Sequence, residues 1–143
     1  LPASELFEVE YWELEQAKLK KAGSPPAFQG KVAMITGAAS GIGRAVAEAL
    51  RAEGAAIVAL DLNSEVESLF AGDDALGVAC DVRDEDAVSS AIAQAVERFG
   101  GLDVLVSNAG VFPKSRAIAD MDAAFWDRAV GLNLTSHQMV LRC

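Results

Sequence analysis

An apolar run, Val32-Ala33-Met34-Ile35, leads directly into a glycine-rich turn, Thr36-Gly37-Ala38-Ala39-Ser40-Gly41-Ile42-Gly43, which opens an amphipathic stretch. A strand, a turn with this glycine content and a helix, in that order, predict a diphosphate site. Gly37 supplies a tight turn at positive φ, which a side chain disfavours. Gly41 leaves no Cβ between the backbone and an approaching phosphate, and Gly43 lets the helix pack closely on the first strand. The first N–H groups of that helix have no intrahelical partners, and with the helix dipole they favour an anion.

The next segment extends the same unit. Ile42, Ala45, Val46, Ala49 and Leu50 recur at helical spacing and predict a sheet-facing stripe. Glu53-Gly54 supplies the stop. Ala56-Ile57-Val58-Ala59-Leu60 then reads as a buried parallel strand ending in Asp61. An acidic residue about 20 positions beyond the glycines is placed to accept hydrogen bonds from an adenosine ribose. Asp61 can also cap the following helix. Its carboxylate would repel a 2′-phosphate, and the flanking Ser40 and Leu62 are neutral, with no cation expected nearby. NAD is therefore favoured over NADP.

Beyond this unit the chain alternates as a doubly wound α/β sheet does. Gly77-Val78-Ala79-Cys80 reads as a third strand, and Asp84, Glu85 and Asp86 start a helix at its electropositive end. Val88, Ala91, Ile92, Ala95, Val96 and Phe99 form its stripe, Gly100-Gly101 ends it, and Val104-Leu105-Val106 is a fourth strand. A last helix from about Asp122 places Trp126, Val130, Asn133, His137 and Leu141 on one face. Phe125, Ala129, Leu132, Met139 and Val140 cover much of another, so burial on more than one side is expected. Asn133 is expected to be buried with them and must find partners there.

The Gly-x-x-x-Gly-x-Gly spacing resembles that of the short-chain dehydrogenase/reductase family. Cys80-Asp81-Val82 and Ser107-Asn108-Ala109-Gly110 resemble two further motifs of that family, with Ser107 in place of an Asn. Asn133 matches the helical Asn of its Asn-Ser-Tyr-Lys set. The resemblance runs from about Gly30 to the last residue. It implies a Rossmann-type parallel sheet of order 3-2-1-4 for this half, with an unpaired outer edge on the fourth strand. Gly37, Ser40, Gly41, Ile42, Gly43, Asp61, Leu62, Asp81, Val82, Asn108, Ala109 and Gly110 would then hold NAD. Asp81-Val82 would lie at the adenine, and Asn133 would hold a water in a catalytic proton relay or be satisfied by local backbone. The last helix would form a homo-oligomer interface.

The family's Tyr-x-x-x-Lys does not follow Asn133, and the single tyrosine is Tyr11. The sequence starts at Leu1 and stops ten residues after Asn133, inside a continuing helical pattern. The expectation is a piece of a longer enzyme that binds nucleotide without turning over substrate. Residues 1–29 read as a helical connector, with glutamates early and Lys18, Lys20 and Lys21 late, closed by Gly23-Ser24-Pro25-Pro26. Phe7, Tyr11, Trp12, Leu14 and Leu19 imply a surface on which it docks. The segment resembles the connector of bifunctional aldolase/short-chain dehydrogenases. That implies a preceding aldolase domain and a small aldehyde or alcohol substrate such as lactaldehyde.

A net charge of −9 argues against nucleic acid or anionic membranes as partners. No apolar run is long enough to span a bilayer and no signal peptide is evident, so a cytoplasmic location is expected. Cys80 and Cys143 lack metal-ligand spacing and His137 is the only histidine, so no metal is implied. A non-catalytic NAD-sensing module is the alternative. A methyltransferase-type domain fits the glycine spacing less well.

Overall fold

The computed structural model describes Gly23 and residues 25–143. The helix expected over residues 4–22 and the docking of Tyr11 and Trp12 lie outside the described residues. Strands β1 (Val32–Thr36), β2 (Ala56–Asp61), β3 (Ala71–Gly72), β4 (Ala75–Ala79) and β5 (Val104–Val106) form one sheet of order β3-β4-β2-β1-β5. All neighbours are parallel except the short β3–β4 pair. The parallel part therefore has the expected order, and β5 pairs on one side only.

β1 and β2 are apolar without alternation because both faces of the sheet are covered, as parallel strands require. Val32, Met34, Val58 and Leu60 face a core closed by Val88, Ala91 and Ala95 of α3 (Glu85–Phe99) and by Val140 of α5 (Ser136–Arg142). The alternate residues Ala33, Ile35, Ile57 and Ala59 face Ala47 of α1 (Gly41–Ala52) and Val66 of α2 (Glu65–Leu69). Phe28 packs against this second core, and its N–H donates to the Glu53 carbonyl at 3.0 Å.

The structure departs from the periodicity in four places. The third strand begins at Ala75, pairs back on β3, and ends before Cys80. The stripe on α1 is turned by about one residue, or ~100°. Gly43 and Ala47 are buried and Val46 and Leu50 half-buried, while Ile42, Ala45 and Ala49 are exposed. Gly43 causes the turn, because a Cβ there would lie 2.1 Å from the Gly37 carbonyl oxygen. The helix can rest its backbone on the loop only along that edge. On α3, Val96 at the margin of the stripe is exposed.

The last helix differs most. α4 (Ala123–Val130) passes into α5 through a π-helical turn, Gly131–Thr135. The wider turn breaks the 3.6-residue register on which the two-face expectation rested. Only Ser136 and Val140 are buried, whereas Trp126, Leu134 and Leu141 are 56%, 68% and 71% exposed. Asn133 is exposed as well, contrary to the expected burial. Within the described chain one face of the helix meets the sheet core, with Leu132 and Val140 on it, and the others meet none.

Candidate functional site

The C-terminal ends of β4, β2, β1 and β5 open onto a cavity of about 430 Å³. Gly37, Ser40, Ile42, Asp61, Leu62, Asp81, Val82, Asn108, Ala109 and Gly110 all line it. Of the expected nucleotide residues, Gly41 and Gly43 are not part of its lining. Gly43 serves the close packing described above. Gly41 has a φ of +57°, and an added Cβ there would meet nothing within 4 Å.

Gly37 takes the positive φ that its turn requires, +69°. Ser40, the residue before α1, is extended and its hydroxyl does not cap the helix, and the first turn carries no acidic residue. By contrast, the Asp84 carboxylate caps α3, accepting from the Asp86 and Ala87 N–H groups, and Glu85 and Asp86 follow in its first turn. The α3 dipole is answered from within the chain. At α1 the free N–H groups and the positive end of the dipole are left for an external anion.

Asp61 ties this loop to the end of β2. One carboxylate oxygen accepts from Ala39 N–H at 2.9 Å, and the other from Asn63 N–H at 2.9 Å. Each oxygen keeps a further lone pair for a hydroxyl donor. Asp61 thus braces the glycine loop and also starts the turn before α2.

β5 is latched to β1 by Thr36, which sequence reasoning passed over. The buried Thr36 hydroxyl oxygen accepts from Asn108 N–H at 2.9 Å and Ala109 N–H at 3.0 Å. The Asn108 amide donates to the Thr36 carbonyl at 3.0 Å. Asn108 therefore holds strand ends together at the rim of the cavity. Asn133 lies outside the cavity lining. Its side-chain amide donates to the Val111 carbonyl and its carbonyl accepts from Val111 N–H, both at 2.8 Å. Next to this pair, Ser107 Oγ meets His137 Nδ1 at 2.5 Å.

The cavity also holds two cations, Arg83 and Arg128, against the expectation that none stood nearby. Arg83 forks onto Asp81 through Nε at 3.0 Å and a terminal nitrogen at 2.6 Å, and its backbone N–H donates to the same carboxylate at 3.0 Å. The guanidinium hydrogen bonds hold the Asp81 carboxyl below the usual aspartate range. The Asp-x-Arg spacing is an Asx-type turn, the signal that could have revealed this cation. Arg128 comes from α4, far along the chain, and no local pattern announces it. Cys80 lines the cavity but is buried; burial, then the charges of Asp81 and Asp84, push its thiol up and leave it a poor nucleophile at neutral pH. Among the described residues no group of His, Cys, Asp and Glu side chains could hold a metal ion.

A glycine loop at an uncapped helix, with carboxylates on the neighbouring strand ends, is shared by several nucleotide-binding families. The family model for short chain dehydrogenase matches residues 31–143. The chain belongs to the short-chain dehydrogenase family. It is 42% identical over 114 residues to a cis-4-hydroxycyclohexanecarboxylate dehydrogenase of Sinomonas cyclohexanicum, covering 76% of this chain and 46% of the relative. It is also 42% identical over 123 residues to an uncharacterized oxidoreductase, YuxG, of Bacillus subtilis, covering 80% of this chain but 18% of the relative. The crystal structure of a 3-ketoacyl-(acyl-carrier-protein) reductase from Brucella melitensis, complexed with NADH, superposes with a TM-score of 0.76 at 37% identity. That match covers 80% of this chain and 48% of the reductase. This short-chain dehydrogenase chain thus spans less than half the length of these relatives.

Proposed function

We propose that residues 30–143 are the nucleotide-binding portion of an NAD-dependent short-chain dehydrogenase acting on a small aldehyde or alcohol such as lactaldehyde. The uncapped N-terminus of α1, set between Asp61 and Asn108 at one cavity, carries this reading. Asp61 and Asp81 would hold the adenosine, the α1 amides the diphosphate, and Asn108 to Gly110 the strand end beyond it. When bound, the nicotinamide accepts a hydride from an alcohol or aldehyde hydrate, or returns one to a carbonyl.

Asp61 supports NAD over NADP. Backbone N–H groups fix its carboxylate at the cavity wall, where a 2′-phosphate would meet it, whereas Arg83 is engaged by Asp81. In the proposed enzyme, Asp61→Ala with Leu62→Arg shifts the NADH-to-NADPH affinity ratio toward NADPH by about 1–3 kcal/mol, read by fluorescence titration. A wild type that already prefers NADPH overturns the assignment.

Asn133 would act as a positioning group that fixes the backbone at Val111, next to the reacting end of the cavity. Asn133→Ala in the longer enzyme should lower kcat more than it weakens NADH binding. With Tyr11 the only tyrosine, the 143 residues alone should bind NADH without turnover. Turnover of lactaldehyde by this chain would sink that part of the proposal.

The match to YuxG, a relative of which this chain covers 18%, suits a longer parent with an aldolase domain ahead of the connector. The exposed Trp126, Leu134 and Leu141 suit a homo-oligomer built on the last helix, in a cytoplasmic protein. Among the described residues no helix is long and apolar enough to cross a membrane.

A further inference from the structure

A second cavity, of about 340 Å³, adjoins the nucleotide cavity and shares Val111, Phe112 and Arg128 with it. The loop after β5 and the helix α4 form its walls. Three of its lining residues are cations, Lys114, Arg116 and Arg128, and none is acidic. That runs against the chain as a whole, which has 21 acidic and 12 basic residues. The apolar part of the wall is aromatic. The Arg116 guanidinium lies 4.6 Å from the centre of the Phe125 ring, and Phe112 is fully exposed to the solvent in the opening. A guanidinium stacked on an aromatic face keeps its N–H edge free to meet an oxyanion in the plane of the fork.

The strand order gives the cavity its place relative to the first. Asp81 and Asp61 follow β4 and β2, the glycine loop follows β1, and Val111 follows β5. From β4 to β5 there are three strand spacings, about 14 Å in all. A dinucleotide with its adenosine at the first two strands and its diphosphate at the third has its other end directed toward β5, where the second cavity opens.

We propose that this second cavity is the substrate's anion subsite: it takes a compact apolar alcohol or carbonyl compound bearing one carboxylate or phosphate monoester. The anion is held by Lys114, Arg116 and Arg128, and the apolar body lies against Phe112 and Phe125. The proposal rests on the dehydrogenase reading for its place beside the nucleotide. It goes further in naming what the substrate must carry, and so puts an anionic alcohol or carbonyl compound in place of the uncharged lactaldehyde. A volume of this size falls at the small end of ligand pockets. The three cations are exposed, so recognition is expected in the high-micromolar to millimolar range and weakens with added salt.

The test uses benzoate, phenyl phosphate and the uncharged benzamide as probes, each titrated into the 143-residue chain and followed by amide NMR shifts. Benzoate or phenyl phosphate should move the amides of residues 111–116 and 125–129, with at least tenfold higher affinity than benzamide. Tighter phenyl phosphate identifies a phosphate ester, and tighter benzoate a carboxylate. The Lys114→Gln/Arg116→Gln double variant should weaken the anion at least fivefold, and Arg116→Lys, which keeps the charge but not the stacked fork, should fall between it and wild type. Benzamide binding as tightly as both anions overturns the proposal, as do shifts confined to other residues or a double variant that binds like wild type. NADH is titrated separately into the same preparation. NADH binding without anion binding overturns the subsite and leaves the dehydrogenase reading standing. Anion binding without NADH binding keeps an anion site and removes the dehydrogenase reading.

Discussion

The β1–α1–β2 unit and the segment from Val111 to Arg142 are of similar length and comparably apolar, yet they fold on different terms. All of β1 is buried, and Ile57 to Leu60 of β2 are fully buried. In α4 and the π-helical turn no residue is buried, and in α5 only Ser136 and Val140 are. In the first unit the two strands exchange a parallel register from Val32–Ala56 to Thr36–Leu60, and the crossover helix between them covers one of their faces. In the second, the ties run to distant residues: Asn133 to Val111, His137 to Ser107 and Arg142 to Glu85. A unit whose strands and crossover helix pack on one another is specified largely by its own pattern, whereas a segment held mainly by remote contacts is specified by what it meets.

Glycine substitutions test this contrast most severely. At Gly43 a Cβ would sit 2.1 Å from the Gly37 carbonyl oxygen and 2.6 Å from the Asn108 amide nitrogen. Backbone must move to admit it, so Gly43→Val should cost more than about 3 kcal/mol in urea unfolding, enough to leave a small domain largely unfolded. Near-wild-type stability would mean that α1 does not rest on the loop. Thr36→Val comes next. It removes the acceptor shared by Asn108 N–H and Ala109 N–H and keeps the side-chain shape. Two half-buried donors lose their partner, at a cost of about 2–3 kcal/mol. The same variant should loosen β5 selectively, which hydrogen exchange at Leu105 and Val106 would register.

These two positions also mark how far the sequence could be read. The glycine loop, the approximate bounds of β1, α1, β2 and β5 and the place of Asp61 follow from short-range pattern, because glycine, apolar runs and a strand-end aspartate act locally. The strand order and the cavity residues Asp81, Val82 and Asn108 to Gly110 come through the family resemblance. The rotation of α1 was not legible, since it depends on the contact of Gly43 with a carbonyl that periodicity does not see. Thr36 was read as part of the turn, and its role as an acceptor needs β5 beside β1. Arg128 entered the cavity from a helix 20 residues beyond Asn108, and its arrival depends on how the loop after β5 travels. Asn133 finds partners at Val111, but without the burial from which the need for them was argued. Its exposure follows from the π-helical turn, which no residue pattern announced.

The second region should answer glycine replacement in the opposite sense. Gly131 has helical dihedral angles, and a Cβ there would meet nothing within 4 Å. Gly131→Ala should therefore stabilise by about 0.5–1 kcal/mol, through the lower conformational entropy of the unfolded chain. A loss of stability would show that the π-helical turn needs glycine, and that the two regions are equally constrained.

The smallest effect expected lies on the surface of the first unit. Arg51, in the last turn of α1, forks onto Asp74 at the tip of the β3–β4 hairpin, with contacts of 2.9 and 2.5 Å. The hydrogen bonds from Arg51 hold the Asp74 carboxyl below its ordinary value and raise the guanidinium in return. Both side chains are about a third or more exposed, so water screens the pair and Asp74→Asn should cost at most about 1 kcal/mol at pH 7. The sign follows from the depressed folded-state value. The pair contributes fully above the unfolded aspartate value of about 3.9 and loses its contribution as pH falls through the lower folded value. The stability gap between wild type and Asp74→Asn should thus be flat from pH 6 to 8 and close on acidification, in urea unfolding followed across that range. A gap that persists at low pH would mean that the hairpin is held by the shape of the Arg51 fork rather than by charge. The edge of the first unit would then depend on remote packing, as the last helix does.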